Sequence, residues 1–134
     1  MLDAVDRAGV FDRVKFTGWD HALLCRLKTE RPQATIGLFA QRPQAWMNDA
    51  VFERYILGTA ETAGFDVAHV YAGVLTETIA DGLTQLGYAV HANDAIGIDD
   101  AVVDAASLVA DRVGRADGLG ADGEPYITPD RLTV

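Results

Sequence analysis

The chain has 134 residues, 49% of them hydrophobic, a formal net charge of −9 and a single cysteine. That length suits one compact domain, the acidic balance argues against nucleic acid or anionic lipid as partners, and the lone Cys25 excludes an internal disulfide. No stretch stays apolar and uncharged for the ~20 residues of a membrane span, and the acidic start "MLDAVDRAGVFD" has neither the basic nor the apolar part of an export signal, so the expectation is a cytoplasmic chain. The bases are almost all Arg, with Lys15 and Lys28 the only lysines. This usage fits a salt-rich cytoplasm and a GC-rich genome equally well.

In chain order, "VKFT" (14–17) reads as a strand, and Asp20 is placed to cap a helix whose Leu23, Leu24 and Leu27 share a face before Pro32 stops it. Cys25 falls inside this apolar pattern and is expected as a buried thiol. "ATIGLFA" is a continuous apolar run suited to a strand covered on both faces. After Pro43 comes a longer helix, with Met47, Val51 and Tyr55 as its stripe and Gly64 as its end. "DVAHVY" is strand-like, Thr76 caps a helix carrying Ile79, Leu83 and Leu86, and Gly87 follows as its terminal glycine. "YAVHA" is the next strand. Val102, Ala106, Val109 and Val113 then define a last helix, and "PYIT" a last short strand.

Strands alternating with amphipathic helices imply right-handed βαβ units and about five parallel strands. An open doubly wound sheet accepts that number, whereas a closed (β/α)₈ barrel requires eight strands. Residues Gly118 to Gly123, "GLGADG", match Gly-x-Gly-x-x-Gly, but a helix precedes them and a strand follows, the reverse of what a pyrophosphate site needs. They read as a connecting turn.

Ligands of parallel α/β folds bind where strands run into helices, so the loops "TGWDH", "AQRPQ", "AGVLT", "ANDAIGIDD" and "TPD" carry the candidates. Arg42 can clamp a phosphate. Asp94, Asp99 and Asp100 can gather on a hard cation, or simply cap a helix. Trp19 can line a pocket. Of the histidines His21, His69 and His91, none has metal-ligand spacing; His69 reads as a core residue and His91, near a strand end, as the one placed to meet a ligand. No nucleophile elbow or Walker loop is present.

Two stretches together resemble the glycerophosphodiester phosphodiesterase family. "VKFTGWDHALLCRLKTERPQATIGLFAQRP" is similar to the family's strand ending in a Ser-Phe-like pair, Leu-rich helix, Arg-Pro and apolar strand, with Trp19 where Phe is common. "GLGADGEPYITPDRL" resembles its closing Gly-Val-Asp-Gly-Ile-Ile-Thr-Asp-x-Pro-Asp, with Gly120, Asp122, Gly123, Ile127, Thr128, Pro129 and Asp130 at matching places. The resemblance implies a (β/α) barrel that hydrolyses glycerophosphodiesters to glycerol 3-phosphate and an alcohol, with a His pair as acid and base and Mg²⁺ or Ca²⁺ held by Glu and Asp. The family's His-Arg, Glu-x-Asp and His-Asp motifs do not occur in this sequence, and "VHAND" replaces its Trp-Thr-Val-Asn, leaving Asn93 as the counterpart of the Asn.

The resulting expectation is a partial TIM-type barrel: residues 1–134 as one domain equivalent to the C-terminal portion, without the catalytic strands, and inactive alone. No catalytic or metal-binding residue is assignable. The expected substrate-binding residues are Trp19, Arg42, Asn93 and Thr128. The expected partners are a small phosphodiester and either a second copy or a missing N-terminal half. A non-catalytic module that binds a phosphorylated small molecule or a protein is the other reading.

Overall fold

The computed structural model describes residues 2–93, 100–110 and 112–113. Its elements are α1 (Leu2–Ala8), a 3₁₀ turn (Phe11–Arg13), β1 (Lys15–Gly18), α2 (His21–Glu30), β2 (Thr35–Phe39), α3 (Asp49–Ala63), β3 (Val67–Tyr71), a second 3₁₀ turn (Ala72–Val74), α4 (Glu77–Gln85), β4 (Ala89–Asn93), α5 (Asp100–Val109) and β5 (Arg112–Val113). The five strands form one parallel sheet in the order β1-β2-β3-β4-β5.

That order decides between the two architectures the sequence leaves open. A doubly wound sheet reverses direction at a switch point and so places helices on both faces. Here every crossover advances the same way, and the crossover helices fall on one side, as in a section of a (β/α) barrel. The packing agrees. Phe16, Ile36, Leu38, Ala68, Val70 and Val90, alternate residues of four strands, share one buried cluster with Leu24 and Leu27 of α2, Phe52, Ile56 and Ala60 of α3, and Ile79 and Leu83 of α4. The intervening strand residues point to the other, barrel-interior face.

Helix ends follow their side chains. Asp20 accepts from the Leu23 N–H, Asn48 from Val51 and Thr76 from Ile79, each supplying one of the acceptors that a helix start lacks. Gly64 takes a left-handed conformation at φ 61° to close α3. At the amino ends of the strands, Asp66 ties neighbouring units together: it accepts from the Ile36 N–H at 2.8 Å and from Lys28 Nζ at 2.8 and 3.0 Å, while Lys28 also donates to the Ala34 carbonyl.

Several expectations shift. Helix α1, not anticipated, packs Leu2 and Val5 against the main core. The buried stripe of α3 is Phe52, Ile56 and Ala60, whereas Val51 and Tyr55 are exposed and Met47 precedes the helix. Leu23 and Leu86 are also exposed. Val113 lies not in the last helix but in β5, paired with Ala92 of β4. The turn at Gly118–Gly123 and the strand "PYIT" lie outside the described residues.

Candidate phosphate-binding pocket

A pocket of about 400 Å³ opens at the carboxyl ends of the strands, lined by Trp19, Phe39, Ala40, Arg42, His69, Tyr71 and Asn93. Its position follows from the chain geometry: Trp19 comes just after β1, Phe39 ends β2, Arg42 lies in the following loop, Tyr71 ends β3 and Asn93 ends β4. Because successive side chains alternate across a strand, Phe39, His69, His91 and Asn93 all face the barrel interior.

Four rings run across the sheet at this level. Trp19 stacks on Phe39 at 5.1 Å and 24°, Phe39 meets His69 at 4.9 Å, and His69 meets His91 at 4.9 Å. Such contacts help fix ring orientation. The Arg42 guanidinium lies 4.1 Å above the Tyr71 ring. A cation held on a ring face and facing a pocket is suited to an anion, since its fork of N–H donors lies at the edge of the stacked plane.

His69 is buried, at 6% exposure, and its Nδ1 lies 3.4 Å from Asn93 Oδ1. As the amide oxygen accepts, Nδ1 carries the proton and donates. Nε2 then bears the lone pair and has no hydrogen-bond partner among the described residues. Gly37 makes the space for this ring: a Cβ there would stand 2.9 Å from His69 Nε2 and 2.5 Å from Thr17 Cγ2. Burial, with a smaller contribution from the positive charge of Lys15 and against the Asn93 bond, lowers the His69 pKa to about 4. The folded state therefore binds fewer protons than the unfolded chain between pH about 4 and about 6.5, and stability contributed by the neutral ring is complete above that window and lost as pH falls through it. Urea unfolding of the protein at pH 7.5 and 4.5 should show a loss on the order of 2–3 kcal/mol that His69→Phe reduces.

Three of the four substrate-binding residues expected from sequence, Trp19, Arg42 and Asn93, thus meet in one pocket. Thr128 lies outside the described residues, as do Asp94 and Asp99, while Asp100 opens α5. The histidine that lines the pocket is His69 rather than His91, which stacks behind it. Phe39 and Tyr71 had no motif to mark them; their place as last residues of strands is the signal that finds them.

Two crystal structures share this fold. One is of a protein assigned as a glycerophosphoryl diester phosphodiesterase from Silicibacter pomeroyi DSS-3, with TM-score 0.65, 18% identity, and coverage of 85% of this chain and 38% of that one. The other, assigned as a glycerophosphodiester phosphodiesterase from Galdieria sulphuraria, gives TM-score 0.64, 17% identity, and coverage of 85% of this chain and 44% of that one. The fold of this chain is that of part of these two barrels. The chain spans less than half the length of either relative. No protein-family model and no curated protein matches the sequence.

The divalent ion that the family resemblance implies does not fit the donors of this pocket. Mg²⁺ and Ca²⁺ take oxygen ligands, usually carboxylates. Among the described residues the pocket offers one amide and one phenol oxygen beside a guanidinium, and no cluster of three metal-ligating side chains occurs.

Proposed function

We propose that this chain is a glycerophosphodiester phosphodiesterase-like partial barrel that holds the phosphate of a small ester between Arg42 and Asn93 and does not hydrolyse phosphodiesters by itself. The observation that carries the reading is the convergence of Arg42, His69, Asn93 and Trp19 on one pocket at the carboxyl ends of the strands, where barrels of this fold place their ligands. Arg42 supplies the charge and the fork of donors. Asn93 and His69 supply orientation. His69, neutral near pH 7 with its Nε2 buried against Gly37, has no stored proton for a leaving alcohol.

The self-association expected from sequence belongs to this proposal, and the edge of β1 is its place. Among the described residues β1 pairs only with β2, and an apolar groove of about 590 Å³ runs beside it between α1 and α2, with exposed Leu23 in its wall. Open parallel edges of this kind are covered in natural proteins.

Thermal unfolding with glycerol 3-phosphate, together with release of glycerol 3-phosphate from glycerophosphocholine with Mg²⁺, Ca²⁺ or EDTA, tests the function. Saturable stabilisation without turnover is expected. Turnover abolished by EDTA would replace the binding reading with a catalytic one. A monodisperse monomer by light scattering would remove self-association.

A further inference from the structure

We propose that Tyr71 is a positioning residue of the anion site: its ring holds the Arg42 guanidinium in place for the phosphate, and Gly73 leaves the space in which that ring lies; this rests on the phosphate-binding reading above. Arg42 belongs to the irregular segment 40–48 between β2 and α3, which gives its long side chain no regular backbone to direct it. An Arg that is still exploring rotamers loses more freedom on meeting an anion than one already stacked on a ring. Tyr71 supplies that ring, with its centroid 4.1 Å from the guanidinium carbon. As the last residue of β3 it stands on a strand paired on both sides, so the platform is itself well supported. Tyr71 and Asn93 are also register partners of β3 and β4, and both line the pocket. Partner residues on neighbouring strands stand about 4.8 Å apart, so the register sets the platform for Arg42 and the Asn93 amide side by side.

Gly73 is where the sequence makes room. Among the described residues Gly9, Gly64 and Gly87 have a positive φ; Gly73 does not, so its backbone places no demand on glycine. Its surroundings do. A Cβ there would stand 2.8 Å from Tyr71 Cε1 and 3.2 Å from Cζ, inside the ~3.5 Å at which carbon atoms pack. Gly73 lies in the 3₁₀ turn that follows β3 and lines, with Leu75 and Val102, a neighbouring cavity instead of this pocket. Any influence it has on a ligand therefore runs through the Tyr71 ring.

The test is a calorimetric titration of the full chain and its variants with inorganic phosphate, paired with NMR relaxation of the Arg42 side-chain Nε–H in the ligand-free protein. Tyr71→Leu should weaken phosphate binding about tenfold, and Tyr71→Phe, which keeps the ring and drops the hydroxyl, should restore affinity to within about twofold. Gly73→Ala should weaken binding about fivefold while the urea midpoint stays close to that of the unaltered chain. The Arg42 Nε–H should gain motion in Tyr71→Leu and Gly73→Ala and keep its order in Tyr71→Phe. Full affinity and an ordered Arg42 in Tyr71→Leu would overturn the positioning reading and leave phosphate recognition standing. So would a loss of affinity in Tyr71→Phe with Arg42 still ordered, which would make the phenol hydroxyl a direct phosphate contact. Full affinity in Gly73→Ala would remove Gly73 from the device. Failure of the unaltered chain to bind phosphate would overturn both readings.

Discussion

Leu83→Ala should cost about 2–5 kcal/mol of stability and be the most damaging truncation among the helix residues. Leu83 is fully buried and belongs to the cluster in which α4 meets Ile56 and Ala60 of α3 and Val70 and Val90 of the sheet. The two helices are already close at that level, since a Cβ on Gly82 would stand 2.7 Å from Leu57 Cδ2. Little relaxation is open to them, so most of the cavity left by the missing methyl groups would persist, and the penalty should fall in the upper part of the range. Small domains have a total stability of only about 5–15 kcal/mol, so the urea midpoint should move far toward zero with an unchanged slope. A cost under 1 kcal/mol would mean that the α3–α4 interface is not as packed as described.

The second large effect falls on the pocket. Gly37→Ala should cost about 1–3 kcal/mol and weaken ligand binding together, because the new methyl group has nowhere to go. It would lie 2.5 Å from Thr17 Cγ2 and 2.9 Å from His69 Nε2. Relief requires the His69 ring to shift, which disturbs its stack with Phe39 and its bond to Asn93 at once. Thr17→Ser removes the nearer of the two obstructing atoms while keeping the hydroxyl. In the double variant part of the stability should therefore return, while binding of glycerol 3-phosphate stays weak because the His69 contact remains. Additive losses in the double variant would show that the two residues do not compete for this space.

How much of this was legible beforehand depends on which force set each feature. Asp20, Thr76 and Gly64 were readable because caps are local: a side chain within three residues supplies the hydrogen bond, and no distant partner is needed. The stripe of α3 was not. Val51 and Tyr55 are as apolar in spacing as Phe52 and Ile56, and only the position of the sheet beneath the helix determines which pair is covered. Val113 continued a helical spacing, yet pairing with Ala92 beside a growing sheet outweighed that local preference. The pocket shows the same division. Trp19 and Arg42 could be reached from the rule that strand ends carry ligands and Asn93 from the family resemblance, whereas His69 looked like core because its neighbours Ala68 and Val70 are core. A parallel strand covered on both faces erases the contrast by which one inward side chain would be recognised.

The sheet order has one more consequence, for the way the molecule comes together. Every strand pairs only with the strands before and after it in the chain, so each βα unit can be added to the preceding one without waiting for a distant segment. Short loop closures of this kind favour rapid, progressive assembly. They also make the chain behave in part like a row of stacked units, whose ends open before the middle. Amide exchange should then be slowest in β2, β3 and β4, each flanked by a strand on both sides, and faster in β1 at the edge. Trp19, which follows β1, would loosen while Phe39, His69 and Asn93 still hold, so the pocket would be dismantled from its β1 rim inward.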